Sequence, residues 1–268
     1  MNIYDTQYGV TFADGLPVWQ GDPVFSWVFP SSVKHYHTKA TFNLYPVEKP
    51  VIEPPNPKTL KVDIPGADGE IDYTEALTGD VHYQNRKCTM KYKIPGNRQT
   101  WDGIYHGLLN AIHGKKLYLF LDEDPDGFYY GRFTVKEPEF ENYSAYLEID
   151  GDLDPYKYDL LSSTDAWLWD PFSFLTGVIR QYSQLSISSS TITIVGCPMP
   201  VAPDIYVHSK TGTLSVTYPT VDGTTATVTL SDGSNAENMP DFLIRDGEYT
   251  LTFSGTGVVS IAYRAGML

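Results

Sequence analysis

Along much of the chain, hydrophobic and polar residues alternate with a period of two, the spacing of a strand with one buried face. Runs of this character are VKHYHTKATFNLY (33–45), VHYQNRKCTMKYKI (81–94), KLYLFL (116–121), FYYGRFTVK (128–136) and SAYLEI (144–149). They are rich in aromatic and β-branched residues, and turn-forming residues such as DPDG at 124–127 separate them. This predicts strands joined by tight turns. One segment keeps a different period. In 96–116, apolar side chains fall at Trp101, Ile104, Tyr105, Leu108, Leu109 and Ile112, which is one face of an α-helix. Asn97 is placed to cap it, Gly114 to stop it, and Lys115 and Lys116 to meet the negative end of its dipole. Gly103 and Gly107 each cost the helix about 1 kcal/mol relative to Ala. Close approach of a strand or a second subunit would account for them.

The segment YPVEKPVIEPPNPK (45–58) carries five prolines. Proline removes ladder donors, so this stretch predicts an extended connector or arm and no interior strand. Composition shifts further along. Residues 1–158 hold 15 of the 19 Lys and Arg and 23 of the 33 Asp and Glu. The remainder is rich in Ser, Thr and Gly, with short alternating runs and no helical period, the signature of a β-sandwich. The expectation is a mainly β protein of two domains: a β-rich domain with one α-helix over 1–158, and a β-sandwich over 159–268.

Bulk composition narrows the function. With 41% hydrophobic residues and 268 positions, the chain can bury substantial cores. Its net charge of -14 disfavours a nucleic-acid-binding role, which needs a basic surface. Cys88 and Cys197 stand far apart and form neither a zinc pattern nor a disulfide framework, so buried free thiols and a reducing cytosol are expected. The first residues have no basic start and no apolar core, so no secretory signal is expected. No apolar run approaches the roughly 20 residues of a membrane span.

Several clusters raise questions of chemistry. Asp122, Asp124, Asp126 and Gly127 match the first ligand positions of an EF-hand loop, but Phe133 stands where a bidentate Glu is required, and the flanks read as strands. A turn is the better reading. His35 and His37 share a strand face without a third ligand, so a surface or interface role is expected. The segment IPGADGEIDYTE (64–75) gathers Asp68, Glu70, Asp72 and Glu75. A glycosidase needs carboxylates facing one another across a cleft, whereas Asp68, Glu70 and Asp72 would lie on one strand face. Pro65 and Gly66 predict one turn and Asp68 and Gly69 another, followed by a strand with Ile71 and Tyr73 opposite Glu70 and Asp72. Trp167 and Trp169 would share a strand face, which suits either a sugar-stacking platform or core packing, the latter preferred. The sequence contains no nucleophile elbow, HExxH motif or phosphate loop. No enzyme activity, cofactor or metal is expected.

PGADGEIDYTEALTG (65–79) followed by VHYQNRKCTMKYKI resembles the distal tail proteins of siphophages, hub proteins at the tip of a long non-contractile tail. The resemblance continues through LLNAIHGKKLYLFLDEDPDGFYYGRF (108–133), DPYKY (154–158) and the closing GTGVVSIAYRAGML (255–268). It implies a ring-forming N-terminal domain and a galectin-like C-terminal sandwich. It further implies a homo-hexameric ring in the virion, assembled in the host cytoplasm, with the tail tube protein above and hub, fibre or receptor-binding proteins below or outside. Tape measure and DNA would pass through the hole without specific binding. Pro65, Gly66, Asp68, Gly69 and Asp72 would then belong to a ring-forming β-element. The alternative is a carbohydrate-binding tail module that recognises host surface glycans, with Trp167 and Trp169 as its platform.

Overall fold

The computed structural model describes residues 8–20, 26–66, 68–141, 144–167 and 177–268. The fold is mainly β, as the alternation predicts, and it divides into two compact units, Met1–Lys157 and Tyr158–Leu268.

The first unit contains strands β1 (Val10–Ala13), β2 (Val18–Gln20), β3 (Ser26–Val28), β4 (His35–His37), β5 (Tyr45–Pro46), β6 (Val51–Ile52), β7 (Lys61–Asp63) and β8 (Glu70–Asp72). It continues with β9 (Arg86–Ile94), β10 (Lys116–Leu121), β11 (Asp124–Val135), β12 (Glu139–Glu141) and β13 (Ser144–Leu153). Its main sheet runs β4-β1-β10-β11-β13-β9-β5, with β6 also on β9 and β12 on β13. β14 (Lys157–Asp159) carries the chain into the second unit.

The period-two pattern decides the faces of this sheet. Arg86, Cys88, Met90, Tyr92 and Ile94 of β9 point inward beside Ala145, Leu147, Ile149 and Leu153 of β13, and all are buried. Phe12 of β1 and Phe133 of β11 meet edge to face with centroids 4.9 Å apart, a favoured aromatic geometry. On the outer face of the same pair, Lys87 stands opposite Asp152 and Lys91 opposite Glu148, cross-strand pairs of opposite charge.

Helix α2 (Arg98–Ala111) covers this core with Trp101, Leu108 and Ala111. Asn97 caps it through a reciprocal box with Thr100. Gly114 takes φ 73°, and Lys115 Nζ donates to the carbonyls of Asn110 and Ala111, satisfying oxygens that the helix end leaves open.

The structure corrects the sequence in two places here. The run 33–45 is a strand only at His35–His37 and then turns into a short helix, α1 (Thr38–Phe42). His37 caps α1: its Nδ1 accepts from the N–H groups of Lys39 and Ala40, and Asn43 closes it at φ 52°. Aromatic and β-branched content therefore lost to a cap at each end. The hairpin between β10 and β11 also turns two residues earlier than expected. Leu121 pairs with Asp124, so Asp122 and Glu123 form the turn and the DPDG residues open β11.

Among the described residues of the second unit, the main sheet is β15 (Leu185–Ser188), β19 (Glu248–Ala262), β17 (Asp204–Pro219) and β18 (Thr225–Thr229), with β16 (Thr191–Val195) also on β19. The short β20 (Gly266–Met267) closes the chain. Two strands of 16 and 15 residues replace the several short ones expected. Their register breaks between Thr211 and Ser215, where Gly212 and Gly255 take φ of 73° and 109°. A Cβ on Gly255 would lie 2.3 Å from the Thr213 carbonyl oxygen, so only glycine fits. Side chains on both sides of this break, Ile205, Val207, Val259 and Ile261 on one and Val216, Tyr218, Leu251 and Phe253 on the other, enter a single core.

Candidate functional site

The feature that stands apart in the first unit is the hairpin of β7 and β8. It forms its own two-stranded sheet, with Lys61 opposite Asp72, Val62 opposite Ile71 and Asp63 opposite Glu70. Alternation sorts its side chains. Lys61, Asp63, Glu70 and Asp72 lie on one face, and Leu60, Val62, Ile64, Ile71 and Tyr73 on the other. The apolar face is uncovered: these five side chains are 41–53% exposed, and Leu77, in the turn that follows, is 92% exposed. A two-stranded hairpin is marginal in water, so local hydrogen bonds carry much of its order. Tyr73 N–H donates to Leu60 O at 2.8 Å, and Leu60 N–H donates to Thr74 Oγ1 at 3.1 Å. The Thr74 hydroxyl and N–H both donate to Asp72 Oδ1, which holds the Asp72 carboxyl below its ordinary range. At the base, Lys58 N–H donates to His82 O and Gln84 N–H to Asn56 O.

Pro65, Gly66, Asp68 and Gly69 lie in the connection between the two strands, with Gly66 at φ 90° and Gly69 at φ 80°, a backbone region that favours glycine. Asp72 lies in β8. Glu70 and Asp72 face solvent beside Asp63 and Lys61 on one strand face, so they do not oppose one another. The first strand of the hairpin, with Leu60, Val62 and Ile64, was missed in the sequence. Its signal was the alternation LKVDI at 60–64, which mirrors EIDY at 70–73.

The acidic turn at 122–124 is tied to three other segments. Asp122 Oδ2 meets His37 Nε2 at 2.9 Å, Glu123 meets Lys49 Nζ at 2.8 Å, and Asp124 accepts from Lys157 Nζ at 2.5 and 2.6 Å. Two of the three carboxylates that a cation would need, Asp122 and Asp124, are thus engaged by His37 and Lys157. Among the described residues, no group of three or more His, Cys, Asp or Glu is arranged to hold a metal ion. His35 stacks on Phe29 at 4.6 Å. Lys49 and Lys157 are partners that sequence spacing did not indicate, because each lies more than 30 residues from its carboxylate.

Cys88 and Cys197 are buried free thiols. Burial pushes Cys88 up to about 12, and Cys197 is raised for the same reason while its thiol donates to Met199 O. Of the two tryptophans weighed as a platform, Trp167 is half-buried; Trp169 lies outside the described residues.

No protein-family model and no curated protein matches the chain. Among solved structures, the fold is similar to that of the SPP1 Dit (gp 19.1) protein, described as a paradigm of the hub adsorption apparatus in phages that infect Gram-positive bacteria. The TM-score is 0.55 at 11% sequence identity, over 82% of this chain and 93% of that chain.

Proposed function

We propose that this chain is a structural protein of a phage tail tip, a hub that assembles as a ring of six copies at the end of a long non-contractile tail. The observation that carries the reading is the likeness of fold to a phage hub protein over most of both chains. The uncovered apolar face of the β7–β8 hairpin supports it, because a chain that keeps this face in water has a use for a partner. A closed ring needs two different patches on each copy. The hairpin supplies one, apolar on one face and acidic on the other. The edge formed by β5 and β6 supplies the second: Val47 and Val51 are about half exposed there, beside the ion pairs Lys49–Glu123 and Lys91–Glu48.

In this reading the chain has no catalytic task, and its C-terminal unit is a galectin-like domain that faces the receptor-binding apparatus. Tape measure and DNA cross the ring without binding. The excess of acids over bases in residues 1–158 suits that role, since lumenal cations would capture phosphates with counterion release. The test is the mass of the purified full chain by light scattering across micromolar concentrations, with negative-stain images of the same sample. Six-membered rings, alone or after addition of a tail tube protein, are the expected result. A chain that stays monomeric under both conditions overturns the reading.

A further inference from the structure

We propose that the second unit carries a binding site for a neutral saccharide, built on Tyr206 and His208 at the outer face of β17. An exposed tyrosine alone is ordinary. Here two departures from regular structure converge on one. The register of β17 against β19 shifts between Val207 and Ser209, which leaves His208 as the extra residue of a β-bulge; such bulges re-aim side chains. Gln184, just before β15, holds φ 49°, a conformation that costs a non-glycine residue energy and persists where surroundings enforce it. Ser260, opposite Tyr206 and only 5% exposed, joins the two. Its Oγ accepts from Gln184 N–H at 2.9 Å and lies 2.7 Å from His208 Nε2.

This network orients the imidazole. Ser260 Oγ accepts from Gln184 N–H and pairs with His208 Nε2, which leaves Nδ1 as the ring nitrogen that can meet a ligand, as donor or acceptor according to the tautomer. The ring so fixed stands against Tyr206, with centroids 4.9 Å apart at 56°. Tyr206 remains 43% exposed. The result is an apolar ring surface beside a phenol hydroxyl and an imidazole nitrogen, held in place before any ligand arrives.

The ligand chemistry follows from what surrounds this row. Lys210, on the same strand, donates its ammonium to Leu230 O at 2.5 Å, and residues 159–268 hold only four of the chain's 19 Lys and Arg. Among the described residues of this row, a phosphate or carboxylate finds no uncommitted ammonium. A sugar ring suits the site: its C–H face lies on an aromatic surface, and its hydroxyls pair with neutral donors and acceptors. These residues differ from Trp167 and Trp169, and the inference is independent of ring assembly.

The experiment is saturation-transfer difference NMR on the full chain with a panel of hexoses, N-acetylhexosamines and their disaccharides. Transfer to the ring C–H protons of at least one member is expected, with millimolar affinity. Tyr206→Ala should weaken it about tenfold, Tyr206→Phe should keep most of it, and His208→Ala should weaken it while leaving the melting temperature near wild type. Both side chains face solvent, so the variants fold. No transfer to any member overturns the proposal. So does transfer that Tyr206→Ala leaves unchanged, because the sugar then sits elsewhere. Oligomer mass, read in parallel, reports on the hub reading alone.

Discussion

His37 Nε2 lies 2.9 Å from Asp122 Oδ2, across 85 residues of sequence. The same imidazole caps α1 through Nδ1, so one side chain joins a helix start to the turn between β10 and β11. Gly9 makes room for this pair: a Cβ there would stand 2.2 Å from Asp122 Oδ2. His37→Ala removes the cap acceptor and the Asp122 partner together. The expected loss is about 1–2 kcal/mol, read as an earlier urea transition of the first unit. His37→Asn restores a cap acceptor without the reach to Asp122 and should recover about half of that loss. Equal stability of His37→Ala and wild type would mean that neither bond contributes.

The buried thiols and phenols set the alkaline limit. Cys88 is pushed up to about 12 by burial, and burial raises Tyr92 and Tyr263 as well. In the unfolded chain, thiols ionise near 8.5 and phenols near 10 (about the usual values). A folded-state value above the unfolded one means that the folded state holds protons the unfolded state releases. The stability from these groups is full below about pH 8.5 and falls as pH rises from there towards the folded values. Urea unfolding between pH 7 and 10.5 should show that fall. A thiol held near 12 is ionised in roughly one molecule in ten thousand at pH 8, so DTNB should label neither cysteine in the native protein and both in denaturant. A fast-reacting thiol in the native state would contradict the burial of Cys88 and Cys197.

Glycines in the first unit divide by the space around them. A Cβ on Gly131 would stand 2.2 Å from Asp152 O and 2.6 Å from Leu153 Cα, backbone atoms that cannot turn aside, so Gly131→Ala should cost about 1–3 kcal/mol. A Cβ on Gly107 would meet Phe42 of α1 at an ordinary 3.6 Å, and one on Gly103 would meet nothing within 4 Å. Gly103→Ala should therefore stabilise the protein by up to about 1 kcal/mol, through helix propensity alone. Thermal melts of the two variants should move in opposite directions.

These contrasts bear on what the sequence could show. Helix α2 was legible because its period, its Asn97 cap and its Gly114 stop all agreed. Consistency across levels makes a segment readable. Helix α1 was not, because a histidine supplies its cap and the acceptor is a ring nitrogen that composition does not reveal. The long strands β17 and β19 read as several short ones because Gly212 and Gly255 are turn signals, and here they sit at a break inside paired strands. For the hairpin, the second strand was visible beside its glycines, while the first hid behind the proline-rich stretch. The ties of Asp122, Glu123 and Asp124 depend on tertiary neighbours and have no local signature.

The hairpin offers the most direct test of assembly. Val62 and Ile71 face each other across β7 and β8 and are 43% and 41% exposed. Fully burying such a side chain contributes about 1.5–3 kcal/mol, and burial of the exposed part alone gives roughly 1 kcal/mol each. Val62→Thr with Ile71→Thr keeps β-branching, and with it strand propensity, while it removes apolar surface. The monomer should lose little, because neither side chain enters the core of the first unit. Assembly should weaken by about 2 kcal/mol at each interface, roughly 30-fold in dissociation constant. The measurement is the concentration at which the oligomer dissociates, by mass photometry of both proteins, with urea unfolding as the control for the fold. A variant that assembles like wild type would show that the apolar face does not lie between copies. Its occupant would then be another protein. A variant that assembles less well and also unfolds much earlier would place these side chains in monomer stability, against their exposure. Lys61 gives a second handle. Among the described residues of the polar face it is the one cation, opposite Asp72, so Lys61→Glu makes that face acidic and leaves the apolar side chains unchanged. Because Lys49 and Lys91 are already paired with Glu123 and Glu48, and the new Glu stands opposite Asp72, this change should weaken assembly at low salt, and the loss should fade as screening shortens the Debye length below about 8 Å.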